Sequence, residues 1–303
     1  MELTGITLTG FTLTSPPPEN TAAWFGGGAY GARSTVNRIT YATDTATASV
    51  RGPLSSARYN LAAAGNTTDG WFGGGVPGPL STVNRITYAT DTATASVRGP
   101  LSLARWGVAA AGNSDDGWFG GGSPIQSTVD RITYATDTAT ASVRGPLSSS
   151  RYYLASAGNT TDGWFGGGLP GPLSTVNRIT YATDTATASV RGPLSAARYG
   201  LAAAGNTTDG WFGGGNPGAR STVDRITYAT DTATASVRGP LSGGRFYLAA
   251  AGNSTDGWFG GGKPYPSTST VDRITYATDT ATASVRGPLS SARYGLAAAS
   301  GIQ

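Results

Sequence analysis

Carboxylates are the side chains with the widest chemical range in this chain. Asp44, Asp91, Asp137, Asp184, Asp231 and Asp279 each close a copy of the same tetrapeptide, Tyr-Ala-Thr-Asp. Two carboxylates at a set separation hydrolyse glycosidic bonds, and several oxygens together hold calcium. Both chemistries need an asymmetric cluster, whereas these six are equivalent and solitary, so they read as turn residues. The chain contains no His and no Cys. That removes thiol chemistry, disulfides, Cys/His zinc sites and most copper or iron sites. It also removes the side chain best suited to proton transfer near neutral pH. The expectation is a protein that is not an enzyme, with no catalytic residue, no metal and no cofactor.

Arginine is the other charged residue in quantity. Within one repeat, Arg85 and Arg98 fall in strand-like segments and are expected to pair with Asp91-type carboxylates or backbone groups, or to stack on aromatics. Arg58, Arg105, Arg151, Arg198, Arg245 and Arg293 instead open each alanine-rich segment. Formal net charge is +4, with basic residues spread along the chain and Lys263 the single lysine. Nucleic-acid binding calls for clustered Lys and Arg, so no nucleic-acid partner is expected. No run of about 18 apolar residues exists, so no membrane insertion is expected. The start, Met-Glu-Leu-Thr, lacks the basic and apolar regions of an ordinary signal peptide.

These residues sit in a repeat. Trp-Phe-Gly-Gly-Gly begins at Trp24, Trp71, Trp118, Trp164, Trp211 and Trp258, at intervals of 47, 47, 46, 47 and 47 residues. That period suits a propeller blade of about four short strands. In the copy from Arg58 to Ala104, Tyr59 to Ala64 reads as strand a, ended by a turn with the hairpin signal Asp69-Gly70. Gly70-Trp71-Phe72 reads as strand b and the β-branched run Val83 to Tyr88 as strand c. After a turn, Ala93 to Arg98 reads as strand d. Helix is the rival for the alanine run, but about one turn between breakers is too short to nucleate. The six Trp residues are ligand platforms or core; one Trp in every blade beside the glycines favours core.

The blade resembles the kelch family, in which an aromatic pair runs into a double glycine, followed by a Tyr, a Pro-Leu and an Arg that opens the next blade. Trp71-Phe72-Gly73-Gly74, Tyr88, Pro100-Leu101 and Arg105 follow that order, and all six copies between residues 20 and 303 do the same. Two positions depart: Ala95 stands where kelch blades carry a Trp, and Ala89 where they carry an Asp. Blade-to-blade packing should differ accordingly. In kelch proteins the arginines matching Arg58 and its five equivalents touch acidic partners. The resemblance thus makes a channel-mouth Arg ring a candidate anion or glycan contact, alongside a purely structural role. The copper chemistry of some kelch propellers needs His and Cys ligands absent here. The near-verbatim repeats also resemble virion-associated proteins of marine phages.

The expected fold is all-β, a six-bladed kelch-like β-propeller with four-stranded antiparallel blades. Residues 1–19 form a strand-like extension with a Pro spacer, and residues 20–303 form the propeller. The first Trp-Phe-Gly-Gly-Gly precedes any Arg-aromatic segment, and the last Arg-aromatic segment is Arg293-Tyr294. Ring closure therefore requires a C-terminal strand a, Tyr294 to Ala299, to join N-terminal strands b, c and d.

Antiparallel alternation puts the a–b and c–d turns on one face and the b–c and d–a turns on the other. A 22-residue segment from Ser-Thr-Val to Gly-Pro-Leu-Ser recurs six times with one variable position, Asn or Asp. Variation concentrates in the b–c turns, which carry Tyr30 and Arg33, Gln126, Asn216 and Arg220, and Lys263 and Tyr265. It concentrates also just after the d–a turns, at Tyr59-Asn60, Trp106, Tyr152-Tyr153, Tyr199, Phe246-Tyr247 and Tyr294. Tyr, Trp, Asn, Ser and Gly are the palette of adaptable recognition surfaces. Neutral drift of turns is the alternative, although drift should touch both faces. The reading is a non-catalytic binding module whose variable face meets a glycan or protein on a target surface, on a virion or at an extracellular surface. Residues 1–18, with Leu3, Ile6, Leu8, Phe11 and Leu13 alternating before Pro16-Pro17-Pro18, would dock it to a larger assembly; covering the propeller's own outer edge is the alternative. A purely structural decoration subunit is the second reading. Unequal b–c turns weigh against a third, a symmetric engineered consensus.

Overall fold

The computed structural model describes residues 21–264 and 266–300. The expected extension and spacer over 1–19, and Tyr265, lie outside the described residues.

Six four-stranded antiparallel sheets stand in a ring. The second blade is typical: strand a is Ala62–Gly65, b is Asp69–Gly73, c is Val83–Thr87 and d is Ser96–Arg98. The alanine run is thus a strand, as its breakers require. The first blade takes its strands b, c and d from Ala22–Gly26, Val36–Thr40 and Ser49–Arg51. Its strand a is Ala297–Ala299 from the other end of the chain. The clasp registers Trp24 with Ala299, Phe25 with Ala298 and Gly26 with Ala297. Strand d is three residues long, half of what its sequence suggests, and it forms the outer edge of every blade. A short edge strand gives little template for unwanted pairing.

Strand c also stops one residue early, because Tyr88 opens a single 3-10 turn, Tyr88–Thr90, that ends at Asp91. That turn receives the neighbouring blade. The Trp24 indole lies flat on the Tyr88 ring, with centroids 3.7 Å apart. Its N–H donates to the Asp91 carboxylate at 2.8 Å. Arg38 and Arg51 of the first blade reach the same carboxylate oxygen at 3.1 and 3.5 Å. The joint recurs around the ring: Trp71 meets Tyr134 and Asp137, for instance, with Arg85 and Arg98 on the same oxygen. The last joint closes the circle, with Trp258 on Tyr41 and its N–H 2.9 Å from Asp44. Each Asp44-type residue is therefore more than a turn former. It is the buried acceptor that holds the preceding blade, and it supplies the partner expected for Arg85 and Arg98.

The apolar clusters lie between blades. Trp71, Val83, Ala62 and Ala64 of the second blade pack against Phe119, Ile132 and Tyr134 of the third. Burying one Trp removes roughly 150–250 Å² from water, worth about 4–6 kcal/mol as an upper bound. The first glycine of the motif permits this approach: a Cβ on Gly73 would stand 2.9 Å from the Phe119 ring. Ala95 is buried in a cluster with Trp24 and Tyr88, so strand b supplies the bulk of the joint.

Asp137→Ala leaves one indole N–H and two guanidinium groups without their acceptor. Removing one member of such a buried set costs about 3 kcal/mol or more. Equilibrium denaturation is expected to show a loss of that size, and a loss below about 1 kcal/mol would contradict the joint.

Candidate ligand-binding face

The two faces are distinct in their bonding. Arg58, which opens strand a, donates its backbone N–H to the carbonyl of Arg33 in the preceding blade's b–c turn, and Arg105 does the same to Leu80. The d–a and b–c turns therefore interlock on one face, as alternation requires. The next residue, always aromatic, bridges to the first residue of its own blade's b–c turn. Tyr59 pairs with Val76, Trp106 with Ser123, Tyr152 with Leu169, Tyr199 with Asn216, Phe246 with Lys263 and Tyr294 with Ala29.

One residue further on, the chain reaches the propeller axis. Asn60, Gly107, Tyr153, Gly200, Tyr247 and Gly295 all have φ between 55° and 66°. Each N–H donates to the carbonyl of its counterpart in the preceding blade at 2.6–2.8 Å, so six hydrogen bonds form a closed circle. Glycine and side-chain-bearing residues alternate around it. A Cβ on Gly200 would stand 2.8 Å from the Tyr247 ring, on Gly107 3.3 Å from Tyr153, and on Gly295 2.6 Å from the Asn60 carbonyl oxygen. Each glycine thus vacates the space its neighbour's side chain fills. The left-handed backbone costs roughly 1–2 kcal/mol at a non-glycine residue, a cost borne by Asn60, Tyr153 and Tyr247.

These side chains cover the axis. Asn60 donates its amide N–H to the Tyr153 hydroxyl at 3.0 Å, and the Tyr153 and Tyr247 rings lie 4.5 Å apart. Burial pushes the Tyr153 phenol up to about 12 and that of Tyr247 also upward. The surrounding rings join them. Trp106 and Tyr152 stand 5.2 and 5.1 Å from Tyr153. Phe246, Tyr199 and Tyr294 stand 4.9, 6.4 and 6.3 Å from Tyr247. Tyr59 reaches Tyr294 at 6.5 Å. All eight expected aromatics of the strand a segments therefore form one connected, half-buried cluster. At the opposite end of the axis, alanine and glycine of the six strands a, with Ser156 and Ser300, line a cavity of about 130 Å³.

The turn residues ring this cluster. Tyr30 is 68% exposed; Arg33, Gln126 and Arg220 are half-buried. Asn216 donates to the Tyr199 hydroxyl, and the Lys263 ammonium sits 3.9 Å over the Tyr294 ring. Leu103 and Ile125, both on the third blade, are 46% and 48% exposed and add apolar surface not expected of the face. Their signal was size: no other copy has a large aliphatic residue at either turn position.

The channel-mouth Arg ring is corrected. Arg58, Arg105, Arg151, Arg198 and Arg293 have no exposed surface and Arg245 only 2%. Arg58 donates to the carbonyls of Thr82 and Phe72 and to the Asn84 side chain, tying strand a to strands b and c beneath the aromatics. Arg105, Arg198 and Arg245 make buried ion pairs with Asp130, Asp224 and Asp272 at 2.8–2.9 Å. The one Asn/Asp variation of the constant segment therefore sits against these arginines. Where it is Asn, burial lowers Arg58, Arg151 and Arg293 to about 10. A guanidinium placed there carries charge to the face without touching a ligand.

Among the described residues no group of three or more His, Cys, Asp or Glu is placed to hold a metal, and no helix is long and apolar enough to cross a membrane. No protein-family model matches the chain, and no curated protein does.

Gly200→Ala should cost about 1–3 kcal/mol, part from the left-handed backbone and part from displacing Tyr247. In a Tyr247→Gly background the second part disappears, so a double-mutant cycle should show coupling of at least about 0.5 kcal/mol. Equal costs in both backgrounds would contradict the packing at the axis.

Proposed function

We propose that the disc is a non-catalytic recognition module that binds a glycan through the aromatic cluster on its variable face. One observation carries this reading. Three blades place glycine at the axial position, so the fold needs no side chain there, yet two others place tyrosine in a backbone conformation that disfavours it. Strain retained where packing does not demand it marks a functional surface. Flat rings with hydroxyl groups at their edges suit the apolar faces and hydroxyls of sugars, and rigid aromatics lose little entropy on binding. The Trp-Phe-Gly-Gly, Tyr, Pro-Leu and Arg order supports a kelch-type blade. Near-verbatim repetition supports a virion or extracellular-surface appendage, with residues 1–18 as the attachment to a larger assembly.

A glycan array probed with wild type and with Tyr153→Gly/Tyr247→Gly tests the reading, because the substituted blades then match their glycine-bearing neighbours. Truncating two central aromatic anchors should weaken binding at least about tenfold, with thermal stability little changed. A chain lacking residues 1–18 should fold and bind the same glycans. Undiminished binding by the double variant would remove the aromatic cluster from the account.

A further inference from the structure

The variable face carries the whole charge surplus of the described structure. At the blade joints, the six Arg38-type and six Arg51-type residues stand against six Asp44-type carboxylates, Asp69 and its four equivalents, and Asp115. Those twelve cations and twelve anions balance, and most are paired at 3.1–3.6 Å. Among the described residues the variable face has fewer carboxylates than cations. None of its b–c or d–a turns contains Asp or Glu. Its acidic residues are Asp130, Asp224 and Asp272, each already spent on a buried arginine. The same strand position in the first, second and fourth blades holds neutral Asn37, Asn84 and Asn177. Three buried guanidinium charges there have no carboxylate.

The turns add three more cations, and the fold gathers them. Arg220, Lys263 and Arg33 lie in the fifth, sixth and first blades, which are consecutive around the ring. Arg33 and Arg220 occupy equivalent places, since each turn carbonyl accepts the N–H of the next blade's ring arginine. Leu80, Gln126 and Leu173 fill that place in the second, third and fourth blades. The turn cations therefore crowd one half of the face, the cationic half, while the other half carries only the buried charges of Arg58 and Arg151. The cationic half touches the aromatic cluster directly through the Lys263 ammonium over Tyr294. Positive charge beside stacking rings, above a poorly solvated interior, attracts an anion over about 10 Å at 0.1 M salt.

We infer that the ligand is an acidic glycan, whose sugar rings stack on the aromatic cluster while its carboxylates face the arc formed by Arg220, Lys263 and Arg33. This rests on the reading of the face as a glycan-binding surface and narrows it to one chemical class. Spread basic residues in the sequence argued against nucleic acid, but the ring collects the turn cations on one side.

Polygalacturonate and its methyl ester test the inference, because they share a backbone and differ in carboxylate charge. Wild type should bind polygalacturonate at least about tenfold more tightly at low salt, with the advantage shrinking as salt rises. Arg33→Gln/Arg220→Gln/Lys263→Gln should remove the advantage and leave ester binding unchanged. Equal binding of the two polymers by wild type would overturn the inference while sparing the parent reading. Binding of neither polymer would overturn the inference, and the array result with Tyr153→Gly/Tyr247→Gly would decide the parent reading separately. Stronger binding of duplex DNA than of polygalacturonate, unaffected by the tyrosine substitutions, would overturn it in favour of nucleic acid.

Discussion

A single buried carboxylate per blade holds this ring together. Each Asp44-type residue accepts hydrogen bonds from an indole N–H and one arginine of the preceding blade and ion-pairs with a second arginine, while the tyrosine three residues earlier covers the indole face. A buried charge is tolerable only when its partners are complete, so the joint accepts little change in any member. That explains why Tyr-Ala-Thr-Asp and Trp-Phe-Gly-Gly-Gly recur without alteration. It also explains why the chain ends must meet. Without the strand Ala297–Ala299, Trp24 would sit in an incomplete sheet, and both of the first blade's joints would lose their backing.

The rigid joint leaves the other face free to vary. Turns there are held largely by backbone bonds: ring arginine N–H to turn carbonyl, and the closed circle of six at the axis. Such bonds specify a conformation without specifying a side chain. Different rings and cations can therefore be mounted on one frame, provided that each bulky axial residue has glycine beside it. The strain at Tyr153 and Tyr247 and the surplus of positive charge both fall on this face, which is why recognition is proposed for it.

Much of this could be read from the sequence because it depends on local pattern. The period of the Trp motif counted the blades, and the order of the first and last motifs predicted the clasp. The concentration of variation after Arg58 and its equivalents located the aromatic cluster. Other features depend on which blade lies next door, which spacing does not reveal. Asp91 read as a turn former because its three donors come from another blade. Tyr88 read as the end of a strand because the indole that draws it aside is 64 residues away in sequence. The arginines opening strand a read as a channel mouth, whereas their length lets them fold back under the aromatics to backbone carbonyls. The Asn/Asp variation was a single variable position with no role assigned until its arginine neighbours were in place.

The joint is most directly tested by titrating the phenols. Burial against an indole pushes Tyr88, Tyr134, Tyr181, Tyr228 and Tyr276 upward from the usual 10.0. Below about pH 10 folded and unfolded chains hold these protons equally; above it the unfolded chain releases them and the folded chain does not, so stability falls as pH rises. Tyrosinate absorbance and circular dichroism followed together should therefore show part of the 14 tyrosines ionising only as the sheet signal collapses. Reversible ionisation of all of them with the sheet signal intact would contradict a ring built on stacked, buried joints.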